Sequence, residues 1–384
     1  MRVQNFSYYM PVKIFFGEGE IEKIGTSVKN LGGRALLVTG KKSMQKLGIT
    51  DKIVKLLQDN LIDVVLYNEV LPNPTVEIVD KGAELARREG CDVIIGLGGG
   101  SALDTAKGIA VVASHGGSLW DYIGEGKVTE KTLPIVAIPT TAGTGSETTP
   151  YSVFTNKKIL RKDAINSPYT FPKVAIVDPV LTKSMSPQLT ADTGFDALAH
   201  AIEAYISTSA NPLSDTLSMK AISLISKSLV RTTRNGEDLE ARSNMALASS
   251  LAGMAIAQAG VVAGHGFGMS IGGILDTSHG RTVGVLLPHI MRCNLSESST
   301  KIAQLTICFG LTSTGNAFDD AQRVIEAVER IMKEVNFPLR LKDIGVKRED
   351  IPKIAQDCID RPDMTNNPRK FNLEEAQEFL ESIL

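Results

Sequence analysis

The chain has 384 residues and a formal net charge of −2, from 41 basic and 43 acidic side chains. This near-balance argues against nucleic acid or an anionic membrane as the main partner, and the length favours two domains over one small core. A hydrophobic content of 43% is enough to fill ordinary cores, and no apolar run is long enough to span a bilayer.

The N-terminal residues lack the apolar core and cleavage site of a secretory signal. The four cysteines are scattered through the chain without a CxxC pair, at Cys91, Cys293, Cys308 and Cys358. Scattered cysteines are typical of reduced, mostly buried thiols. We therefore expect a cytoplasmic protein.

Strand and helix signals alternate in the first half of the chain. Short apolar runs predict buried strands at 34–39, 64–67, 91–97, 133–138 and 174–177. Periodic stretches predict helices at 75–89 and 102–113. Because strands separated by helices form parallel sheets, we expect a parallel sheet with helices on both faces.

The pattern changes near residue 185, and from about residue 187 onward it predicts helices with few strand candidates. Residues 316–336 carry an amphipathic stripe, and residues 372–384 form a final helix with Asn372 as its N-cap. The sequence therefore predicts an α/β domain at 1–185 and an all-helical domain at 186–384.

A glycine-rich turn links the predicted strand at 91–97 to the next helix. Three consecutive glycines, 98–100, remove every Cβ where a diphosphate could approach the backbone, and a helix N-terminus supplies free N–H groups with a partial positive charge. Ser101 is a candidate N-cap, with Asp104 completing a capping box. The pattern departs from G-x-G-x-x-G, so an ordinary tight turn is the alternative.

A second polar loop, PTTAGTGSETTP at 139–150, follows the predicted strand at 133–138. Its hydroxyl groups can line a groove at the carboxyl end of a parallel strand, where open α/β sheets bind ligands. An ordinary threonine-rich connection is the alternative. Two such loops after two strands favour a dinucleotide site.

The end of the first predicted strand discriminates between cofactors. Enzymes that use NAD often place an acid near this point to accept a hydrogen bond from the adenosine ribose. Here Gly40, Lys41 and Lys42 follow the strand, so no acid repels a 2′-phosphate and two cations attract one. NADP is therefore favoured over NAD, unless the lysines only form a solvated helix start.

Four side chains in the second half form a candidate metal site. Asp196 and His200 share one helical face at i and i+4, and His265 and His279 follow, although the chain has only 5 histidines. Imidazoles and one carboxylate bind divalent transition metals. Four ligands without a thiolate favour Fe²⁺, Mn²⁺, Co²⁺ or Ni²⁺ over tetrahedral Zn²⁺. Beside a nicotinamide, such a Lewis acid indicates hydride transfer between the cofactor and an alcohol or aldehyde.

These motifs, in this order and over nearly the whole chain, resemble those of the iron-containing (group III) alcohol dehydrogenases, which are related in fold to dehydroquinate synthase and glycerol dehydrogenase. The resemblance depends on GGGSALDTAK at 98–107, PTTAGTGSE at 139–147, the aspartate and histidines of the candidate metal site, and NNPR at 366–369.

The resemblance implies an N-terminal dinucleotide-binding α/β domain, an all-helical C-terminal domain and a divalent metal, iron first, on the four candidate ligands. It also implies a homodimer or larger homo-oligomer. The family's cofactor contacts match Gly98, Gly99, Gly100, Ser101, Asp104, Thr140, Thr141, Thr149 and Lys162. We add Gly40, Lys41, Asn73 and Thr144 to the predicted cofactor site.

One departure from the family concerns proton transfer. Many members carry a second histidine four residues after the position of His265, where this chain has Met269. A methionine cannot carry a proton, so water, the ribose hydroxyls or another group must replace it, or the substrate differs.

We therefore expect a metal-dependent alcohol dehydrogenase or aldehyde reductase that uses NADP(H) and a small primary alcohol, diol or aldehyde. The apolar residues Ile256 and Met364 are candidate pocket residues. The alternatives are a glycerol-type polyol dehydrogenase, a metal-dependent lyase that keeps a bound NAD, and a catalytically idle protein that binds metal and nucleotide.

Overall fold

The computed structural model describes residues 5–384, which divide into two compact units. The α/β unit contains residues 10–141 and 145–183, and the helical unit contains residues 5–9, 142–144 and 184–384. The domain bounds 1–185 and 186–384 stay a prediction. Two short segments, 5–9 and 142–144, join the helical unit from earlier in the chain.

The α/β unit alternates strands with helices. Its strands are β1 (Lys13–Phe16), β2 (Arg34–Gly40), β3 (Asp63–Val70), β4 (Val93–Gly98), β5 (Gly124–Glu125), β6 (Ile135–Pro139), β7 (Tyr151–Asn156), β8 (Arg161–Asn166) and β9 (Val174–Val177). Its helices are α1 (Ile24–Val28), α2 (Ser43–Lys46), α3 (Ile49–Gln58), α4 (Val76–Arg88) and α5 (Gly100–His115).

Six parallel strands form the main sheet in the order β1-β9-β6-β4-β2-β3. The chain leaves β2 toward β3 on one side and returns to place β4 on the other. The strand order therefore reverses between β2 and β4, and open α/β sheets bind ligands at the carboxyl ends beside such a point. A small second sheet pairs β7 with β8 antiparallel and β5 with β8 parallel.

Alternate residues of the sheet pack against helices on opposite faces. Leu36 and Val38 of β2 belong to one buried cluster with α4 and α5, whereas Ala35 and Leu37 belong to another with α1 and α3. Strands that are buried on both faces read as continuous apolar runs. The predicted parallel sheet with helices on both faces is confirmed.

The strands β1, β7 and β8 were not predicted from the sequence. β1 is an edge strand that is not fully buried at any residue, and β8 has the polar sequence RKDAIN. Backbone pairing with a neighbour, rather than burial of an apolar run, makes these segments strands.

The helical unit has no strand anywhere in residues 184–384, all of which the structure describes. Its helices are α6 (Pro187–Ile206), α7 (Pro212–Arg234), α8 (Leu239–Ala259), α9 (Ala263–Leu275), α10 (His279–Cys293), α11 (Leu295–Ala303), α12 (Ala317–Glu334), α13 (Ile351–Ile359) and α14 (Leu373–Ser382). With the α/β unit, this all-helical unit confirms the predicted fold class.

Helix α6 is the central element of this unit and packs against α7, α8 and α10. The Ser186 hydroxyl caps it by accepting from the Leu189 N–H, and Pro187 occupies its first turn, where a missing N–H costs nothing. Every residue from Gly194 to Ile206 is buried. Asn372 caps α14 as predicted, accepting from the Glu375 N–H at 2.9 Å.

Among the residues that the structure describes, no single helix is long and apolar enough to cross a membrane. Helices α8 and α9, bent by 102° at their junction, pass that test together by length and composition alone.

Candidate active site

Helix α6 carries three ionisable side chains, Asp196, His200 and Glu203, in its buried interior. Their exposed fractions are 2%, 6% and 0%. Spacings of four, three and seven residues place all three on one side of the helix. The buried part of a helix can hold so many polar groups only where partners or an ion satisfy them.

The side chains of Asp196, His265 and His279 converge. Oδ1 of Asp196 lies 3.9 Å from Nε2 of His265 and 3.8 Å from Nε2 of His279. One ligand atom from each of the three lies within 4.8 Å of the others. The ring of His200 stacks on that of His265 at a centroid distance of 4.5 Å. The structure thus brings together the ligand atoms of Asp196, His265 and His279 and places the His200 ring beside them, and the role of all four as ligands stays a prediction.

The cluster leaves buried polar atoms without hydrogen-bond partners. Among the described residues, none hydrogen-bonds Oδ1 of Asp196 or Nε2 of His265. Buried polar atoms are rarely left so, because desolvation without a compensating bond is costly. Carboxylate oxygen and imidazole nitrogen are donors that divalent transition metals accept, so these residues fit a metal ion.

The two most buried imidazoles of the cluster differ electrostatically. Burial lowers the pKa of His200, which keeps its ring in the neutral form that can donate a lone pair. Burial also acts to lower the pKa of His265, but the facing carboxylate of Glu203, helped by Asp196, outweighs it and raises that pKa. A cation that binds His265 therefore competes with a proton.

Glu203 is a site residue that the sequence reading missed. Its Oε1 lies 3.0 Å from Nδ1 of His265, the ring nitrogen on the other side from Asp196. Its Oε2 accepts hydrogen bonds from the backbone N–H groups of Val262 and His265. The only signal in the sequence was its position three residues after His200, on the same face of α6.

Asp192 and Arg281 form an ion pair that was also not predicted from the sequence. Asp192 lies one turn before Asp196, and its Oδ1 accepts from Nε of Arg281 at 3.0 Å. Burial raises the pKa of Asp192, and Arg281 counteracts that rise. Because Arg281 follows His279 by two residues, this ion pair fastens the first turn of α10 to α6.

Two methionines lie near the start of α9, which carries His265. Met269, one turn beyond His265, is 7% exposed, and so is Met364. A Cβ on Gly266 would lie 2.9 Å from the sulfur of Met364, so this side chain packs against the backbone next to His265. Met364 therefore lies against the first turn of α9.

The glycine-rich turn lies at the carboxyl end of β4. Gly98 has a φ of 148°, which an L side chain rarely adopts, and a Cβ there would lie 2.8 Å from that of Ala102. Gly99 is the N-cap of α5, which begins at Gly100. The predicted Ser101 cap and its capping box with Asp104 are wrong, because the glycine backbone turns the chain two residues earlier without a side-chain cap.

Asp104 does not cap α5, and its carboxylate accepts hydrogen bonds from residues 146 and 153 instead. Its carboxylate accepts from the Ser146 hydroxyl at 2.7 Å and from the Val153 N–H at 2.9 Å. Burial raises the pKa of Asp104, and the positive charge of Lys107 opposes that rise. Asp104 thus ties α5 to the segment that contains the polar loop.

Lys107, one turn further along α5, is completely buried. Its ammonium donates to the carbonyl oxygens of Thr149 and Tyr151, at 2.9 and 2.6 Å. Burial lowers its pKa to about 8. The polar loop is therefore held at Thr149 by a charge that the helix supplies.

The remaining predicted cofactor residues of the α/β unit lie in loops or near the ends of strands. The Thr140 N–H donates to the Gly98 carbonyl at 2.9 Å, and Thr141 lies against Gly99. Nζ of Lys162 lies 3.0 Å from Oδ1 of Asn73, so these two predicted residues are brought together.

Gly40 is the last residue of β2, and Lys41 and Lys42 after it are exposed. Thr144, also predicted to contact the cofactor, belongs to segment 142–144 of the helical unit and is half-buried.

Comparison with known proteins identifies the family. A model described as iron-containing alcohol dehydrogenase matches residues 11–179, and one described as the C-terminal part of the Fe-containing alcohol dehydrogenase family matches residues 190–384.

A 1,3-propanediol dehydrogenase from Citrobacter freundii is 40% identical over 98% of both chains. An NAD-dependent methanol dehydrogenase from Bacillus methanolicus is 34% identical over 98% of this chain and 100% of its own. A crystal structure of a 1,3-propanediol oxidoreductase superimposes with a TM-score of 0.95 at 40% identity, covering 99% of this chain and 100% of that one. The protein belongs to the iron-containing alcohol dehydrogenase family.

Proposed function

We propose that the protein interconverts a small primary alcohol or diol and its aldehyde, with NADP(H) as the hydride carrier and a divalent metal held by Asp196, His200, His265 and His279. The observation that carries the proposal is the convergence of ligand atoms from Asp196, His265 and His279, of which Oδ1 of Asp196 and Nε2 of His265 are buried without a hydrogen-bond partner among the described residues. Family membership supports both the metal and the nicotinamide.

The ligand residues have separate tasks. The single carboxylate, Asp196, balances only part of a dication's charge, so the bound metal supplies Lewis acidity to the alcohol or carbonyl oxygen. The rings of His200 and His265 provide nitrogen ligands from rigid helices, which limits their movement when substrate enters. Iron(II) is the first candidate, and Zn²⁺, Mn²⁺, Co²⁺ and Ni²⁺ are the others.

The cofactor site combines a bare backbone with a helix terminus. Glycines 98–100 leave room for a diphosphate, and the N-terminus of α5, a helix of 16 residues, offers free N–H groups and a partial positive charge. Thr140, Thr141 and Thr149 add hydroxyl groups, and Lys162 adds a cation that Asn73 orients.

The preference for NADP is supported by the end of β2. Gly40 offers no acid to the adenosine ribose, and the exposed Lys41 and Lys42 can pair with a 2′-phosphate. A Cβ at Gly40 would meet nothing closer than the Val70 carbonyl at 3.9 Å, so an acidic side chain can be introduced there without a clash.

The substrate class is supported by three apolar side chains of the helical unit and by the relatives. Ile256, Met269 and Met364 are all buried and offer no charge to recognise an ionic substrate. The relatives' names, 1,3-propanediol dehydrogenase and methanol dehydrogenase, both denote small primary alcohols. Because Met269 carries no proton, water, a ribose hydroxyl or another group takes the alcohol proton, or the substrate differs.

The test pairs elemental analysis of anaerobically purified protein with NADPH oxidation over a panel of aldehydes, repeated with NADH. We expect a stoichiometric divalent metal and turnover of short aldehydes with a higher kcat/KM for NADPH. Metal-free protein that turns over at full rate would contradict the metal role. A higher kcat/KM for NADH would contradict the cofactor preference alone.

A further inference from the structure

Glu203 is the most completely buried carboxylate near the histidines, with no exposed surface. Both of its oxygens have defined neighbours. Oε2 accepts from the backbone N–H groups of Val262 at 2.8 Å and His265 at 3.3 Å, and Oε1 lies 3.0 Å from Nδ1 of His265. One carboxylate therefore contacts both the first turn of α9 and the imidazole that this turn carries.

The contact depends on a glycine. A Cβ on Gly264 would lie 2.3 Å from Oε1 of Glu203 and 3.0 Å from its carboxyl carbon. Any side chain at 264 would push the carboxylate away from His265. The approach of α6 to α9 at this point thus requires both the glycine and the acid.

We propose that Glu203 is a positioning residue that sets the tautomer and orientation of His265, so that its Nε2 presents a lone pair to the metal. The inference rests on the proposed function, because it assigns His265 a metal. Glu203 lies on the Nδ1 side of the His265 ring, whereas Asp196 lies on its Nε2 side.

The chemistry follows from the two ring nitrogens. A neutral imidazole has one N–H, and a carboxylate can only accept, so the Glu203 oxygen 3.0 Å from Nδ1 favours the tautomer that carries the proton on Nδ1. The lone pair then lies on Nε2, the atom on the side of Asp196 at 3.9 Å. Without Glu203, the alternative tautomer could direct its Nε2–H toward Oδ1 of Asp196 and close the site to a cation. Removing such partners of metal-binding histidines typically costs about 10–100-fold in metal affinity.

Glu203→Gln separates positioning from packing. The amide keeps the volume, and its oxygen can still accept from the Val262 and His265 N–H groups. Its NH₂ then faces Nδ1 and donates, which forces the proton onto Nε2. Asp320→Asn is the matched control, because Asp320 is a buried carboxylate of the same unit that accepts from the Thr314 N–H and faces no histidine.

The experiment measures metal affinity by chelator competition, thermal unfolding of the metal-free proteins, and the His265 tautomer by ¹⁵N–¹H correlation spectra at alkaline pH, assigned with His265→Ala. We expect Glu203→Gln to raise the metal Kd about 10–100-fold and to move the proton from Nδ1 to Nε2. Its unfolding midpoint should fall no further than that of Asp320→Asn, whose metal affinity should match the wild type. Gly264→Ala should weaken metal binding in the same direction.

Two results would overturn the inference. One is a Glu203→Gln protein that binds metal as tightly as the wild type with the proton still on Nδ1. The other is an equal loss of affinity in Asp320→Asn, which would indicate general destabilisation. A wild-type protein that binds no metal would instead refute the proposed function, and the tautomer measured in the metal-free proteins would still decide the role of Glu203.

Discussion

The candidate sites of the two units depend on different kinds of chemical group. The helical unit uses side chains on long, buried helices, where Asp196, His200 and His265 come from α6 and α9 and have fixed surroundings. The α/β unit uses backbone N–H groups, hydroxyl groups and bare glycines at the carboxyl ends of β4 and β6. A site of few strong donors should fail when one is removed, whereas a site of many weak contacts should weaken by degrees.

The largest effect should come from His265→Ala. Removing this ligand should abolish stoichiometric metal binding and reduce turnover to background. The circular dichroism spectrum should stay that of the wild type, because the helices pack through a large apolar core. His289→Ala is the control, since His289 lies outside the cluster with Nε2 3.4 Å from the Leu339 carbonyl. Full activity of His265→Ala after treatment with a chelator would mean that the reaction needs no metal at this place.

A smaller effect, on the preference between NADP and NAD, should follow substitution of Gly40 at the end of β2. Gly40→Asp should lower kcat/KM for NADP at least about tenfold by repelling the 2′-phosphate, and raise it for NAD by accepting from the ribose hydroxyls. Gly40→Asn has the same size without the charge and should change the ratio much less. Steady-state kinetics with both cofactors measure this, and an unchanged ratio in the aspartate variant would remove Gly40 from the cofactor site.

Lys162→Met should weaken cofactor binding with less effect on the chemical step. A hydrogen bond to a charged group contributes about 1.5–3 kcal/mol, so we expect the KM for the cofactor to rise about tenfold or more. Lys158→Met, which removes an exposed lysine of the same hairpin, provides the comparison. Equal KM values for the two variants would show that Lys162 does not reach the cofactor.

The smallest predicted effect concerns stability. Gly98→Ala should lower the free energy of unfolding by about 1–3 kcal/mol, since it combines an unfavourable φ with a Cβ contact of 2.8 Å. Gly116→Ala has a φ of 80° but open space around its Cβ, so its loss should be smaller. Denaturant titration measures both, and a larger loss at Gly116 would mean that the close contact at Gly98 relaxes freely.

The sequence predicted what burial and spacing control. β4 and β6 are apolar because both of their faces are covered, and Asp196 and His200 share a face because a helix repeats every 3.6 residues. The helical cap at Asn372 was predicted correctly because its side chain makes a local hydrogen bond. These features depend on neighbours in the chain or on simple burial.

The features that were not predicted correctly from the sequence depend on tertiary contacts. The partner of Glu203 is 62 residues away, and one acid on a helix face looks like any other until α9 packs against it. β8 is polar and becomes a strand only by pairing with β7. The Ser101 cap was wrong because Gly98 and Gly99 turn the backbone first, a choice that local propensity alone does not reveal.

The most direct test of the metal centre is an anomalous difference map at the iron edge, from crystals of protein loaded with Fe²⁺ under anaerobic conditions. We predict a single peak bonded to Asp196, His200, His265 and His279. A peak elsewhere in the molecule, or one at the cluster from which any of these four side chains turns away, would contradict the proposed site.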